Sequence, residues 1–139
     1  MSEGVLLDTS VFLYVIAEPE RVPQAFRDVI DKAESRLLSV ASLWEIAIKA
    51  SLSKLSLPEP AGTYVPSRAA RLHCSLLPIL PEHAGHVQTL PFHHRDPFDR
   101  LIIAQARIER LTVLTLDRTF SRYKVRVFQP GVRGAPERR

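Results

Sequence analysis

The sequence holds a single cysteine, Cys74, in 139 residues. No intrachain disulfide is possible, and the cytoplasm is the compartment that such cysteine use suggests. Only five glycines occur, and none falls in a Gly-x-Gly-x-x-Gly turn or a Gly-x-x-x-x-Gly-Lys loop. Dinucleotides and nucleoside triphosphates are therefore not expected ligands. No apolar run reaches the length of a membrane span, and the N-terminus lacks a basic region followed by an apolar core. Neither a membrane partner nor export is expected. A His-Glu-x-x-His pattern is also missing. His83 and His86, at i, i+3 spacing, and the His93-His94 pair have no cysteine beside them that would complete a zinc set. Cys74 reads as a packed apolar residue rather than a nucleophile.

What remains is enough for one globular domain. Hydrophobic residues make up 45% of the chain and charged ones 24%, which favours a packed core over disorder. The net charge of +4 is unevenly spread. The segment from Arg95 to Arg139 carries 11 basic and 5 acidic residues, whereas the preceding part is slightly acidic. Fifteen of the basic residues are arginine, whose guanidinium fork matches phosphate oxygens. Such a balance suits a polyanionic partner, although a solvated basic helix with a frayed tail explains the charge equally well.

The pattern along the chain alternates strands and helices. Val5-Leu6-Leu7 is a buried strand running straight into Asp8-Thr9-Ser10. Residues 10–17 make a short helical turn. Pro23 then stands as the first residue of a helix in which Val22, Phe26, Val29, Ile30 and Ala33 share one face. Further strands are expected at 37–40, at 76–80 (an edge, because of Pro78), at 112–116 and at 125–128. Helices are expected at 42–53, 63–73 and 81–90, and from Pro97 to about Arg110, where Asp96 caps and Pro97 starts the helix. The order β-α-α-β-α-α-β-α-α-β-α-β argues for an α/β fold, a parallel sheet covered on both faces.

Four acids fall at element ends that such a sheet brings to one edge. Asp8 and Asp117 follow apolar strands, while Glu45 and Asp99 lie in first helical turns. Ionised acids so placed repel one another unless a divalent cation sits among them, and oxygen ligands favour magnesium or manganese. Each acid also has a local explanation. Ser42-Leu43-Trp44-Glu45 fits a capping box, Asp99 follows Asp96 by three, Asp117 suits a turn, and Asp8 competes with Ser10 as an N-cap. Trp44, beside Glu45, could stack a base, pack in the core or contact a second subunit.

These segments together resemble the PIN-domain nucleases, and within them the toxin halves of VapBC-type toxin–antitoxin pairs. The likeness rests on Leu7-Asp8-Thr9-Ser10, on Ser42-Leu43-Trp44-Glu45-Ile46, on Asp96-Pro97-Phe98-Asp99-Arg100-Leu101-Ile102 and on Leu114-Thr115-Leu116-Asp117. The resemblance implies a three-layer α/β/α fold with a central, mainly parallel five-stranded sheet. It implies a nuclease domain over residues 1–130, followed by a disordered basic tail at 131–139. It further implies a magnesium- or manganese-dependent endoribonuclease acting as a toxin, a homodimer, RNA as substrate and a small antitoxin protein as partner. Asp8 and Asp99 would be the metal ligands, with Glu45 and Asp117 completing the catalytic set. Thr9 or Ser10 would orient a ligand or phosphate. Apart from the resemblance, Arg95, Arg100, Arg118 and Arg122 are candidates for contact with the substrate's phosphate backbone, and surface ion pairs account for them equally well. Asp96 ranks below the four acids because an N-cap accounts for it. Arg100 departs from the small residue that many of these toxins carry there. Two rivals are a phosphoryl-transfer enzyme using Asp8 as nucleophile and a non-catalytic binding module on the same fold.

Overall fold

The computed structural model describes residues 4–129, so the tail expected at 131–139 lies outside the described residues. Five strands form one sheet in the order β3-β2-β1-β4-β5. They are β1 (Gly4–Leu7), β2 (Ser35–Ser39), β3 (Cys74–Leu77), β4 (Thr112–Leu114) and β5 (Arg126–Phe128). Every pairing is parallel, where the resemblance implied only a mainly parallel sheet. The six α-helices are α1 (Thr9–Ala17), α2 (Gln24–Lys32), α3 (Val40–Ser51), α4 (Ala61–Arg71), α5 (Pro81–His86) and α6 (Pro97–Glu109).

Strand alternation divides the core between the two faces of the sheet. Val5 and Leu7 point into one cluster with Val11 and Phe12 of α1, Phe26 and Ile30 of α2, Ile46 of α3 and Val65 of α4. Leu6 points the other way, into a cluster with Ile102, Ile103 and Ala106 of α6, Val113 of β4 and Val127 of β5. The result is a three-layer α/β/α sandwich with β1 at its centre. Gly4 opens β1 where Leu111 leads into β4. A Cβ there would lie 2.6 Å from Ser35 Oγ and 2.7 Å from a Leu111 methyl, so a side chain at this position would have to push both side chains aside.

The element boundaries differ from the sequence reading where a cap or a tertiary partner decides. The segment 10–17 is not a single turn but belongs to the nine-residue helix α1, capped by Asp8. Helix α3 begins at Val40, two residues before the expected start, because Ser39 is the cap and accepts from Ala41 N–H. Strand β3 is an edge strand as expected, but it ends at Leu77 and leaves Pro78 outside the ladder. The helix expected at 81–90 divides into α5 and a 3₁₀ turn, Val87–Thr89.

Candidate active site

Strand β1 pairs on both sides, Leu7 with Leu38 of β2 and with Leu114 of β4. Asp8 is the first residue past this double pairing. Its N–H still donates to Leu114 O at 3.0 Å, so the carboxylate is set at the carboxyl edge of the sheet by backbone bonds alone. Its two oxygens have different tasks. Oδ1 accepts from Val11 N–H at 2.9 Å and caps α1. Oδ2 accepts from the Thr115 hydroxyl. Thr115 Oγ1 in turn accepts from Asp117 N–H at 2.9 Å. One buried threonine, 107 residues downstream, therefore fixes both Asp8 and the chain at Asp117. Ser10, the competing cap, is exposed within the first turn of α1.

Glu45 is not part of a capping box, because α3 starts too early for that. It is the sixth residue of the helix and is buried. The Thr9 hydroxyl donates to Glu45 Oε1 at 2.8 Å and also bonds Ser42 Oγ at 2.8 Å. Lys49, one turn later, holds the other oxygen at 3.0 Å. Thr9 therefore orients an acid from the inside of the fold, while Ser10 faces solvent.

Asp96 is the N-cap of α6, with Oδ1 accepting from Phe98 N–H at 2.8 Å and from Asp99 N–H at 3.3 Å. Asp99, in the first turn, points elsewhere. Its Oδ2 lies 3.0 Å from His94 Nε2, which also bonds Asp117 Oδ2 at 2.8 Å. One donor atom from each of His94, Asp99 and Asp117 falls within 4.8 Å of the others. His94 Nδ1 accepts from Asp96 N–H at 3.2 Å, so in this arrangement the ring proton is on Nε2, between the two carboxylates. His94 is itself fixed by its backbone N–H, which donates to Tyr123 Oη at 2.8 Å. Asp117 uses Oδ1 to cap the turn that follows β4, accepting from Thr119 N–H at 2.9 Å.

Asp99 and Asp117 thus meet at His94, while Asp8 and Glu45 lie close enough to act on Asp99 electrostatically. Burial pushes Asp99 up to about 8, and the carboxylates of Asp96, Asp8, Glu45 and Asp117 add to the rise. Burial also raises Asp8 to about 6, held back by its bonds from Thr115 and Val11 N–H and helped by Asp117 and Glu45. Burial alone would raise Asp117 too, but the Thr119 N–H and His94 outweigh it, and the group ends below the ordinary carboxylate range.

The basic residues divide. Arg95, Arg118 and Arg122 are exposed. Arg100 is not, and its expected part in substrate contact is corrected here. Its guanidinium is buried and donates to Pro91 O at 2.8 Å, Val87 O at 3.1 Å and Leu90 O at 3.3 Å, beneath the Phe92 ring. It satisfies the carbonyls of the loop that leads to His94, so nothing is left for phosphate. His83 is likewise internal, fully buried and bonded to Glu109 and Leu80 N–H. Sequence reasoning missed Thr115 and the place of His94, because each acts through partners remote in the chain. The one local signal was a hydroxyl residue two positions before Asp117.

Replacing Arg100 by lysine should lower unfolding stability by about 2–3 kcal/mol in urea titration, since a single ammonium nitrogen cannot take the places of both Nη1 and Nη2 among carbonyls spread around the fork. Unchanged stability would show that the guanidinium is not structural. The two raised carboxyls set a pH dependence. Each holds its proton more tightly folded than unfolded, so their stabilising effect is complete below about pH 4 and is lost as pH rises through about 6 and then about 8. Without divalent ions, the melting temperature should fall between about pH 5 and about pH 8.5. Added magnesium or manganese should recover more of it at the upper end.

Comparison with known proteins bears on the family and the fold. The family model for the PIN domain matches residues 5–126. Ribonuclease VapC16 of Mycobacterium tuberculosis is 42% identical over 78 residues, which span 50% of this chain and only 55% of that relative. Ribonuclease VapC22 of the same organism is 31% identical over 115 residues, 82% of this chain and 87% of that protein. In fold, the chain superposes on the crystal structure of VapBC2 from Rickettsia felis bound to a DNA fragment from their promoter, with a TM-score of 0.64 at 17% identity, covering 87% and 93% of the two chains. With the site geometry, the matched span and the 31% identical relative in agreement, this chain belongs to the PIN domain family.

Proposed function

We propose that the chain is a magnesium- or manganese-dependent endoribonuclease and the toxin of a toxin–antitoxin pair. The observation that carries the reading is Asp99, a half-buried carboxyl surrounded by the carboxylates of Asp8, Glu45, Asp96 and Asp117. A fold gains nothing from such an arrangement unless a cation neutralises it. The donor set fits a hard divalent ion. Asp8 and Asp99 would hold it, and Glu45 and Asp117 would complete the cluster. His94, with its proton on Nε2, is a hydrogen-bond donor to the cluster rather than a nitrogen ligand.

When bound, the ion supplies Lewis acidity toward the phosphodiester and toward water. The chain's own residues do the remaining work. Thr115 and the Val11 N–H keep Asp8 in one rotamer, Thr9 and Lys49 do so for Glu45, and His94 aligns Asp99 with Asp117. Exposed Arg95, Arg118, Arg122 and the Ser10 hydroxyl are available to phosphate oxygens around this edge. RNA as substrate follows from the curated relatives, both named ribonucleases. A small antitoxin partner and a homodimer follow from the sequence resemblance. Phosphoryl transfer through Asp8 is disfavoured, because Ser10 stands two residues on where that chemistry wants a second acid.

Cleavage of mixed RNA with added magnesium or manganese tests the reading. Asp8→Asn keeps the helix cap and removes the charge, so cutting should fall by about a hundredfold or more. Equal activity in that variant would overturn the metal site. Thr115→Val, which keeps the shape and loses the hydroxyl, should weaken divalent-ion affinity by about 10–100-fold in calorimetric titration.

A further inference from the structure

Trp44 is the only tryptophan of the chain, and more than half of it, 56%, is exposed. An exposed tryptophan beside a buried acid is unusual enough to ask what covers it. Its ring stands edge-on against Phe98, with centroids 5.0 Å apart and planes at 81°. Each ring is the chain neighbour of a cluster acid: Trp44 precedes Glu45 on α3, and Phe98 precedes Asp99 on α6. Successive helical residues diverge by about 100° around the axis. The aromatic pair therefore flanks the acids and does not fill their site. Trp44 carries no hydrogen bond among the described residues, and more than half of it stays exposed beside Phe98.

On the Phe98 side of this pair runs a groove of about 360 Å³, lined by apolar Ile48, Leu52 and Pro97 and by the acids Glu45 and Asp96, which already serve Thr9 and Lys49 and the start of α6. Lys54 and Arg95 stand on its rim, exposed, and among the described residues neither has an ion pair. Lys49, also on the rim, is held by Glu45. Flat aromatic surface bordered by unpaired cations and opening beside a set of phosphodiester-directed acids matches one kind of occupant, an unpaired nucleotide. A base has a π-face for the indole, and its phosphates meet the cations. An apolar peptide would use the groove floor but would leave Lys54 and Arg95 without partners.

We propose that Trp44, supported edge-on by Phe98, is a stacking platform for an unpaired base of the RNA next to the bond being cut, with Lys54 and Arg95 receiving the adjoining phosphates. The inference rests on the ribonuclease reading and adds to that site a base contact outside the acid cluster. It makes Trp44 a substrate-positioning residue that the acid cluster itself does not require.

The lone indole makes the test direct. The full-length Asp8→Asn chain, which binds without cutting, is titrated with short single-stranded RNA of mixed sequence while Trp44 emission is followed. Saturable quenching is expected, and an abasic backbone of equal length should leave the emission unchanged. On the same background, Trp44→Leu should weaken RNA binding by roughly tenfold or more, measured by anisotropy of labelled RNA, and Trp44→Phe should retain most of it. In the active chain Trp44→Leu should raise KM and leave divalent-ion affinity as it was. Circular dichroism checks that both variants fold, and the emission readout stands even if Trp44→Leu does not. Three results overturn the proposal: RNA binding with unaltered emission, equal quenching by the abasic strand, or equal affinity of the leucine variant. Quenching by a protein partner but not by RNA overturns it too and assigns the groove to that partner. If the Asp8→Asn chain binds no RNA and the wild type cuts none, the ribonuclease reading falls as well. Cutting by a wild type whose Trp44 ignores RNA removes the platform alone.

Discussion

Carboxylates gathered in a partly desolvated edge repel one another, and the arrangement of this fold depends on how that repulsion is met. Asp8, Glu45, Asp99 and Asp117 are brought together by four different elements. Each is held by a group that tolerates or offsets negative charge. Asp8 and Asp117 lie over the N–H groups that open a helix and a 3₁₀ turn. Glu45 is clamped by a hydroxyl and an ammonium. His94 places its one ring proton between Asp99 and Asp117. Burial first, and the neighbouring carboxylates second, raise Asp8 and Asp99, and these contacts do not offset the two effects fully. The edge is left short of positive charge, which is the condition for taking up a cation.

Capping and chemistry are often weighed as competing explanations for an acid at a helix start. Here they are compatible, because a carboxylate has two oxygens. Asp8 and Asp117 each spend one oxygen on a local backbone donor and turn the other toward the cluster. The cap removes a rotational freedom that would otherwise blur the site. Asp96, by contrast, gives its Oδ1 to two successive N–H groups and serves the helix start. Glu45 fits neither description. Its supposed partner Ser42 lies inside α3 and bonds Thr9 instead.

Much of this was legible in the sequence, for identifiable reasons. Apolar runs ending in an acid, as at Leu7-Asp8, and the Asp-Pro opening of α6 are local signals that tertiary packing did not override. The parallel order of strands and helices, and hence the shared edge of the four acids, followed from them. Residues whose roles depend on distant partners were not legible. Thr115 matters through Asp8, His94 through Asp99 and Asp117, and Arg100 through carbonyls of the loop 87–91 that no periodicity reveals. Arg100 was misread because a surface arginine and a carbonyl-capping arginine look alike in one dimension. The start of α3 was misplaced because Ser39 and Ser42 are both competent caps, and only the end of β2 decides between them.

The placement of β1 between β2 and β4 has a consequence for how the protein comes into being. Strand β1 is made before the other four strands of the sheet and ends up at its centre, and its partner on one side begins at Thr112. Until that partner arrives, Leu6 has only part of its packing, and Asp8 lacks both Thr115 and Asp117. Such long-range pairing is slow to form and is made late. A growing or truncated chain that ends before β4 contains no assembled acid cluster, whatever its helices have achieved. Assembly of the site is thus timed by chain topology: the acids meet only once the chain has run on through β4 to Asp117.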